Sequence, residues 1–437
     1  MSADQVLVNR ISRAVRERLA DARAERDRSG QGRMTAGDER HFTRQLIADE
    51  LGRLAHEHLS AGGEVLTEDV EHEVSEAVFA ATLGLARIQP HLDDPDVQDI
   101  HVRGSESTWL KRRDGTRHPA PPVADSDEEL IELIRLVAAR MGRNERRFDA
   151  ASPELNLQLP DGSRLFAVMD VSSRPSLIIR KHLFSLSSLD ELRDRGMIER
   201  GLQSLMSASV QAKRNIIITG GTASGKTTLL RALLNEVPLL DRIITIEDAY
   251  ELGIDRFPDL HPDYDMLQAR PPNIEGHGEI TMLDLTKMSL RMDPDRVIVG
   301  EVRGGEAFPM LMAMSQGNNG SMCTLHADSS RTVFPKLAAY VAMADTALPV
   351  ETVNLLIATA VHLIVHIEMI DGVRRVASVR EIVDADGAHI VSNEVYAPGP
   401  DGRAVPAYPL RDNTLDLLEM NGFDVRLLDK PDGWWDL

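Results

Sequence analysis

Residues 215–237 read NIIITGGTASGKTTLLRALLNEV, and this stretch decides how the rest of the chain is to be understood. Asn215 to Thr219 is a short β-branched run, the pattern of a strand buried on both faces. Thr228 to Val237 spaces its leucines as a helix does. Between them Gly220, Gly221, Thr222, Ala223, Ser224, Gly225, Lys226 and Thr227 satisfy every fixed position of the G-x-x-x-x-G-K-[ST] phosphate loop. Each residue type has a physical reason. Glycines let the backbone fold closely enough for successive N–H groups to converge on phosphate oxygens. A helix beginning there adds its unpaired N–H groups and dipole to the same anion site. Lys226 would reach the β- and γ-phosphates of a nucleoside triphosphate, the Thr227 hydroxyl would ligate Mg²⁺, and Thr228 would follow in the same turn. Only seven of the 49 basic residues are lysines, so a lysine at this point is a pointed choice.

Outward from the loop, strand and helix patterns alternate. Arg242–Glu247 (RIITIE), Arg296–Gly300 (RVIVG) and Ser321–Leu325 (SMCTL) are apolar runs with helical stretches between them. Such alternation predicts a mostly parallel sheet with helices on both faces. Acids then fall where such a sheet presents its ligand, at the carboxyl ends of strands. Ile244–Glu251 ends in the carboxylates Glu247, Asp248 and Glu251, and Asp293–Arg303 places Glu301 after an apolar strand. These groups could orient metal-bound water or accept its proton, although an acid after a buried strand is also an ordinary solvated strand end. Thr324–Ser329 offers His326, either a γ-phosphate contact or a hydrogen-bonded loop histidine.

The formal charge of −20 excludes a protein that coats nucleic acid or an anionic membrane by its overall charge. A single cysteine, Cys323, excludes an intramolecular disulfide framework and a cysteine-rich zinc site. The N-terminal residues lack a signal-peptide core, and the most apolar stretch, Leu355–Ile370, is interrupted by His362, His366 and Glu368. A cytoplasmic protein is the expectation. Three regions are expected: a helical segment over 1–84, an α+β domain over 85–182, and a P-loop α/β domain over 183–437 with a loop-rich extension from 371. In the first, Val6, Ile11, Val15 and Leu19, then Phe42, Leu46, Ile47, Leu51 and Leu54, recur at helical spacing, and Ser29–Arg33 breaks the pattern. In the second, Val97–Val102, Thr108–Lys111 and Ser176–Lys181 read as strands, Leu159–Ser163 as a turn, and Asp127–Met141 as a helix capped by Asp125 or Ser126. The tail is mixed, with a loop at Ala397–Gly402. No tandem repeat interrupts this order.

Taken as an ordered set, these segments resemble the secretion ATPases of the type II/type IV superfamily, and most the ATPases of Tad-type pilus assembly. Glu247–Glu251 (EDAYE) resembles the family's Asp box, Leu290–Arg303 (LRMDPDRVIVGEVR) its Walker B region with Glu301 as the acid, and Gly320–Ser329 (GSMCTLHADS) its His box. Arg270–Asn273, Gly276–Thr281, Leu159–Val168 and Ile178–Lys181 are similar to further family segments. The chain departs from the family pattern at Ser315–Asn319, Asp328, Asp293 and Phe166. The resemblance implies a RecA-like P-loop domain behind a smaller α+β domain, ATP and Mg²⁺ as ligands, and a homo-hexamer. It implies that Glu251 positions or activates water beside Glu247, that Glu301 acts near Mg²⁺, and that His326 acts near the γ-phosphate. Arg164 and Arg180 are its candidates for arginines that reach the phosphates, or else simple surface ion pairs. The implied activity is an ATP-hydrolysing motor working on a polytopic inner-membrane platform protein, docked peripherally at the cytoplasmic face, without direct nucleic-acid binding. Two alternatives stay open: an ATP-binding scaffold with little turnover, and the ATPase of a conjugative DNA-transfer system.

Overall fold

Three helices open the chain in the computed structural model, which describes all residues except 1–4, 30–33, 35, 61, 63–65, 142–146, 182–186, 274 and 430–437. They are α1 (Gln5–Ser29), α2 (Ala36–Ser60) and α3 (Glu68–Leu83). Ile11, Val15 and Leu19 pack with Leu46, Ile47, Leu51, Leu54, Val74 and Val78. Val6 departs from expectation and is 78% exposed, while Val8 is buried. The reason is register: 8, 11, 15 and 19 follow one helical stripe, and position 6 falls off it. The expected break at Ser29–Arg33 lies mostly outside the described residues.

The chain divides into two units, Met1–Leu183 and Phe184–Leu437. The first continues through the short helix α4 (Gln89–Asp93) into β1 (Val97–Arg103), β2 (Ser107–Arg112), β3 (Arg117–Ala120), α5 (Asp127–Met141), β4 (Glu154–Gln158), β5 (Arg164–Val168) and β6 (Ser176–Arg180). The strands form an antiparallel sheet in the order β3-β2-β1-β6-β5-β4. Alternation assigns its faces. Ile100, Val102, Leu165, Ala167, Leu177 and Ile179 are buried with Leu130, Ile134 and Val137 of α5. Of the two expected caps, Ser126 is the one that acts on α5, its Oγ accepting the Glu129 N–H at 3.1 Å. The Glu129 carboxylate returns to the Asp125 N–H at 2.6 Å.

The second unit begins with α6 (Leu189–Asp194) and α7 (Arg200–Gln211), followed by β7 (Ile216–Gly220), α8 (Lys226–Leu234), β8 (Ile243–Glu247), β9 (Tyr264–Gln268), α9 (Met282–Ser289), β10 (Arg296–Val302), α10 (Ala307–Ser315) and β11 (Met322–Leu325). It closes with α11 (Val333–Ala342), α12 (Val350–Ala360), β12 (Leu363–Ile370), β13 (Val373–Asp386), β14 (His389–Pro398), β15 (Ala404–Pro406), α13 (Asp412–Met420) and α14 (Arg426–Asp429). Nine strands run in the order β15-β14-β13-β12-β7-β11-β10-β8-β9. From β12 to β9 the pairing is parallel, and β13 to β15 add an antiparallel wing. Strand β7 feeds both layers: Ile216 and Ile218 pack with Leu229 and Leu233 of α8, and Ile217 packs with Met310, Val333 and Ile357. This is the mostly parallel, helix-covered sheet that the alternating pattern predicts, in the RecA-like α/β architecture that the family resemblance implies.

Two differences from the sequence reading have physical causes. The edge strand β9 is half-buried along its whole length, so YDMLQ lacks the apolar run that marks the central strands. The loop-rich tail is instead dominated by the 14-residue β13 paired with the 10-residue β14. Its charged residues hid it, because Arg380 and Glu381 are buried as paired groups, with Arg380 on Glu394 at 3.0 Å and Glu381 on Arg411 at 3.0 Å.

Buried Asn215 ties the start of β7 to its surroundings. Its Oδ1 accepts the N–H groups of Gly320 (2.8 Å) and Ser321 (3.0 Å). Its Nδ2 donates to the carbonyls of Met314 (2.9 Å) and Ala360 (2.6 Å) and to Asn319 Oδ1 (3.3 Å). The unusual Ser315–Asn319 segment is thereby fixed at the strand ends away from the phosphate loop.

Candidate nucleotide site

The phosphate loop forms where the central strand β7 gives way to α8. The helix begins at Lys226, two residues earlier than its leucine spacing suggests, because the loop itself supplies the first turn. Gly220 has φ 154°, and a Cβ there would collide with the Ile367 carbonyl and Ser224 Oγ. Gly225 caps α8 with φ 100°. Ala223 adopts φ 60°, a left-handed conformation that costs an alanine about 1 kcal/mol. Ser224 Oγ is buried without a hydrogen-bond partner among the described residues. A cradle too tight for a Cβ, with an orphan hydroxyl and a helix N-terminus behind it, fits a triphosphate.

Lys226 is buried, and its Nζ donates to the carbonyls of Gly220 (3.1 Å) and Gly221 (2.8 Å). It also lies 3.1 Å from His326 Nδ1. Burial lowers its pKa, and Glu301 pulls the other way. An ammonium donates only, so His326 Nδ1 accepts and the imidazole proton resides on Nε2. That nitrogen lies 2.8 Å from Glu301 Oε1. Arg303 continues the chain of contacts, with Nε 3.5 Å from Glu301 Oε2 and NH2 3.1 Å from Asp248 Oδ2. Parallel pairing explains this convergence: β11 and β7 lie side by side, β10 flanks β11, and all three end at the same edge. Thr227, on the first turn of α8, and Glu301 supply hard oxygen donors suited to Mg²⁺, whose remaining ligands would be phosphate oxygens and water.

The acids at and beyond the end of β8 separate in character. Glu247 is 2% exposed, and its Oε1 accepts the N–H groups of Glu251 and Leu252, each at 2.8 Å. Burial pushes its pKa up to about 7, against the two backbone donors. It therefore organises the segment that carries Glu251. Arg231 of α8 donates to the Glu251 carbonyl, so both backbone polar groups of Glu251 are held. Sequence reasoning passed over Arg231, whose only signal is its place on the helix after the loop.

In the first unit, Arg164 and Arg180 are direct cross-strand partners on β5 and β6. They lie on the sheet face opposite α5, with Phe166, Ile178, His101 and Trp109 in the next cross-strand row. Arg180 Nε donates to buried Asp99 at 3.0 Å, yet its side chain is 61% exposed. Arg164 Nε donates to Asn156 Oδ1 at 3.3 Å.

A phosphate loop on a RecA-like sheet, with acids and a histidine at the strand ends around it, defines a P-loop nucleoside triphosphatase. The sequence profile described as "Type II/IV secretion system protein" matches residues 83–396. A putative conjugal transfer protein of Mycobacterium tuberculosis (strain CDC 1551) is 32% identical over 313 residues, covering 70% of this chain and 86% of that protein. The type IV secretion system protein VirB11 of Brucella suis biovar 1 is 30% identical over 311 residues, covering 65% and 84%. The chain belongs to the type II/IV secretion system protein family, as one of its ATPases. Among solved structures, the Brucella suis VirB11 ATPase in complex with sulphate aligns with 28% identity and a TM-score of 0.36, covering 68% of this chain and 95% of that one. The pilus retraction motor PilT with bound ADP aligns with 15% identity and a TM-score of 0.49, covering 79% and 88%.

Proposed function

We propose that this chain is the hexameric motor of a pilus-assembly or secretion machine and that ATP hydrolysis at the loop of Gly220–Thr228 drives it. The observation that carries the proposal is the convergence of Lys226, His326 and Glu301 at one edge of the sheet. Lys226, Thr227 and Thr228 would bind the triphosphate; Thr227 and Glu301 would hold Mg²⁺, which would supply charge neutralisation to the phosphates. Glu251 orients the attacking water and takes its proton, and Glu247 fixes the Glu251 backbone for that task. His326 carries a proton on Nε2 and a lone pair on Nδ1, so a γ-phosphate that draws Lys226 away releases Nδ1 to respond. Arg164 and Arg180, which the family resemblance offers as phosphate-reaching arginines, would bring positive charge to the phosphates.

No helix among the described residues is long and apolar enough to cross a membrane. The proposed motor acts on a polytopic platform protein at the cytoplasmic face of a membrane machine, with Mg·ATP exchange rocking the parts of a ring. The Tad-type pilus assignment rests on the ordered motifs of the sequence. A second reading, the ATPase of a conjugative system, is favoured by the similarity to a putative conjugal transfer protein. Purified protein tests the motor: steady phosphate release should vanish with Lys226→Ala. Glu251→Gln should retain ATP binding and lose turnover by roughly a hundredfold or more. ATP bound tightly by the wild type without release would establish a scaffold instead. DNA affinity that falls steeply with salt would favour the conjugative system and direct contact with its cargo.

A further inference from the structure

The wing formed by β13–β15 takes no part in the function proposed above, yet one of its side chains touches the phosphate loop. The turn at Asp371–Gly372 sends β13 back along β12, and β12 is the immediate neighbour of β7. Arg374, near the start of β13, consequently lies beside the loop that follows β7. Its Nε donates to the Ala223 carbonyl at 2.9 Å. Its Cδ would lie 3.0 Å from a Cβ on Gly225, so the aliphatic stem covers that glycine. The contact reaches the loop at its most strained point, because Ala223 is the loop's non-glycine residue in the left-handed region.

Peptide planarity gives this contact a consequence. The Ala223 carbonyl and the Ser224 N–H belong to one rigid unit and point in opposite directions. Pinning the carbonyl therefore aims the Ser224 N–H away from Arg374 and into the loop, where it makes a long 3.4 Å contact with the Gly221 carbonyl. That N–H is among those that must converge on phosphate. We propose that Arg374 is a positioning residue for the phosphate loop: its Nε–H holds the left-handed Ala223 peptide in the orientation that presents Ser224 N–H to the nucleotide. The wing is then a support of the nucleotide site, and movement of the β12–β13 hairpin would change nucleotide affinity. The inference rests on the nucleotide-binding reading of the loop.

The test is a cycle on the full chain, titrated with a fluorescent ATP analogue and Mg²⁺, using Arg374→Ala, Arg374→Lys, Ala223→Gly and the double variant Ala223→Gly/Arg374→Ala. Loss of one hydrogen bond predicts that Arg374→Ala weakens affinity roughly three- to tenfold. Lysine keeps the charge and most of the stem but lacks the Nε–H, and is expected to stay within about twofold of the alanine variant. Glycine at 223 adopts positive φ without penalty, so in that background removing Arg374 should cost less than about twofold. An equal loss in both backgrounds, or full recovery with lysine, overturns the proposal. A thermal midpoint for Arg374→Ala lowered by more than about 4 °C would assign the loss to folding and overturn it as well. Failure of the wild type to bind the analogue would instead refute the nucleotide reading itself.

Discussion

Replacing Glu247 by glutamine tests the distinction between an acid that performs chemistry and one that holds the site together. The carboxylate is buried, accepts two backbone N–H groups at 2.8 Å, and has a pKa pushed by burial from the ordinary 4.5 up to about 7. Because the folded value lies above the unfolded one, the native state binds the extra proton between those two pH values. Stability from this group is therefore present at low pH and falls as pH rises towards 7. Integrating between pH 5.5 and 8 gives a loss of about 2 kcal/mol. Glutamine stays neutral throughout and keeps one carbonyl oxygen for the two donors. Its amide, placed where Oε2 has no hydrogen-bond partner among the described residues, adds a pH-independent cost of about 1–3 kcal/mol. Denaturant titrations followed by far-UV circular dichroism should show the variant gaining about 2 kcal/mol on the wild type between pH 5.5 and pH 8. Glu199, also raised to about 7 by burial, and His362, lowered to about 4 by burial, titrate in both proteins and cancel in the difference. A stability difference that does not change with pH would refute the assignment of a buried, titrating carboxylate to this position.

Asn215→Ala removes the partners of two buried N–H groups and two buried carbonyls, and should lower stability by about 3–5 kcal/mol in the same unfolding titrations. His326→Ala should keep nucleotide affinity within a few-fold, since the loop carbonyls still hold Lys226, while phosphate release falls by about tenfold or more. Arg164→Ala and Arg180→Ala should each reduce turnover more than nucleotide binding, read as a fall in kcat larger than the rise in KM. Unchanged kinetics for both would confine these arginines to the sheet surface.

The site was legible in the sequence to the extent that its parts are local. Gly220–Thr227 is contiguous, its glycines and lysine are demanded by backbone and charge, and β7 and α8 announce themselves through apolar runs and periodicity. The acids at the carboxyl ends of β8 and β10 and the histidine after β11 were also in view, because parallel strands send their carboxyl ends to one edge. Distances among these residues were not legible. Lys226 and His326 stand 100 residues apart and meet at 3.1 Å only because β11 docks beside β7. Glu247 and Glu251 look alike in the sequence, and burial alone makes the first an organiser of the second.

By itself, then, the sequence determined a P-loop fold, its nucleotide-binding loop and the family to which the chain belongs. The fold and the loop follow from residue types at fixed spacing, which act through local backbone geometry and one hydrophobic period per element; the family follows from the resemblance of the ordered motifs. The tertiary structure decided which charges face one another: Arg164 opposite Arg180, Glu301 on His326, and Arg374 on the Ala223 carbonyl. It also decided that the charged tail is a wing of the same sheet. Strand order and cross-strand register set those contacts, and neither is encoded in the periodicity of any one segment.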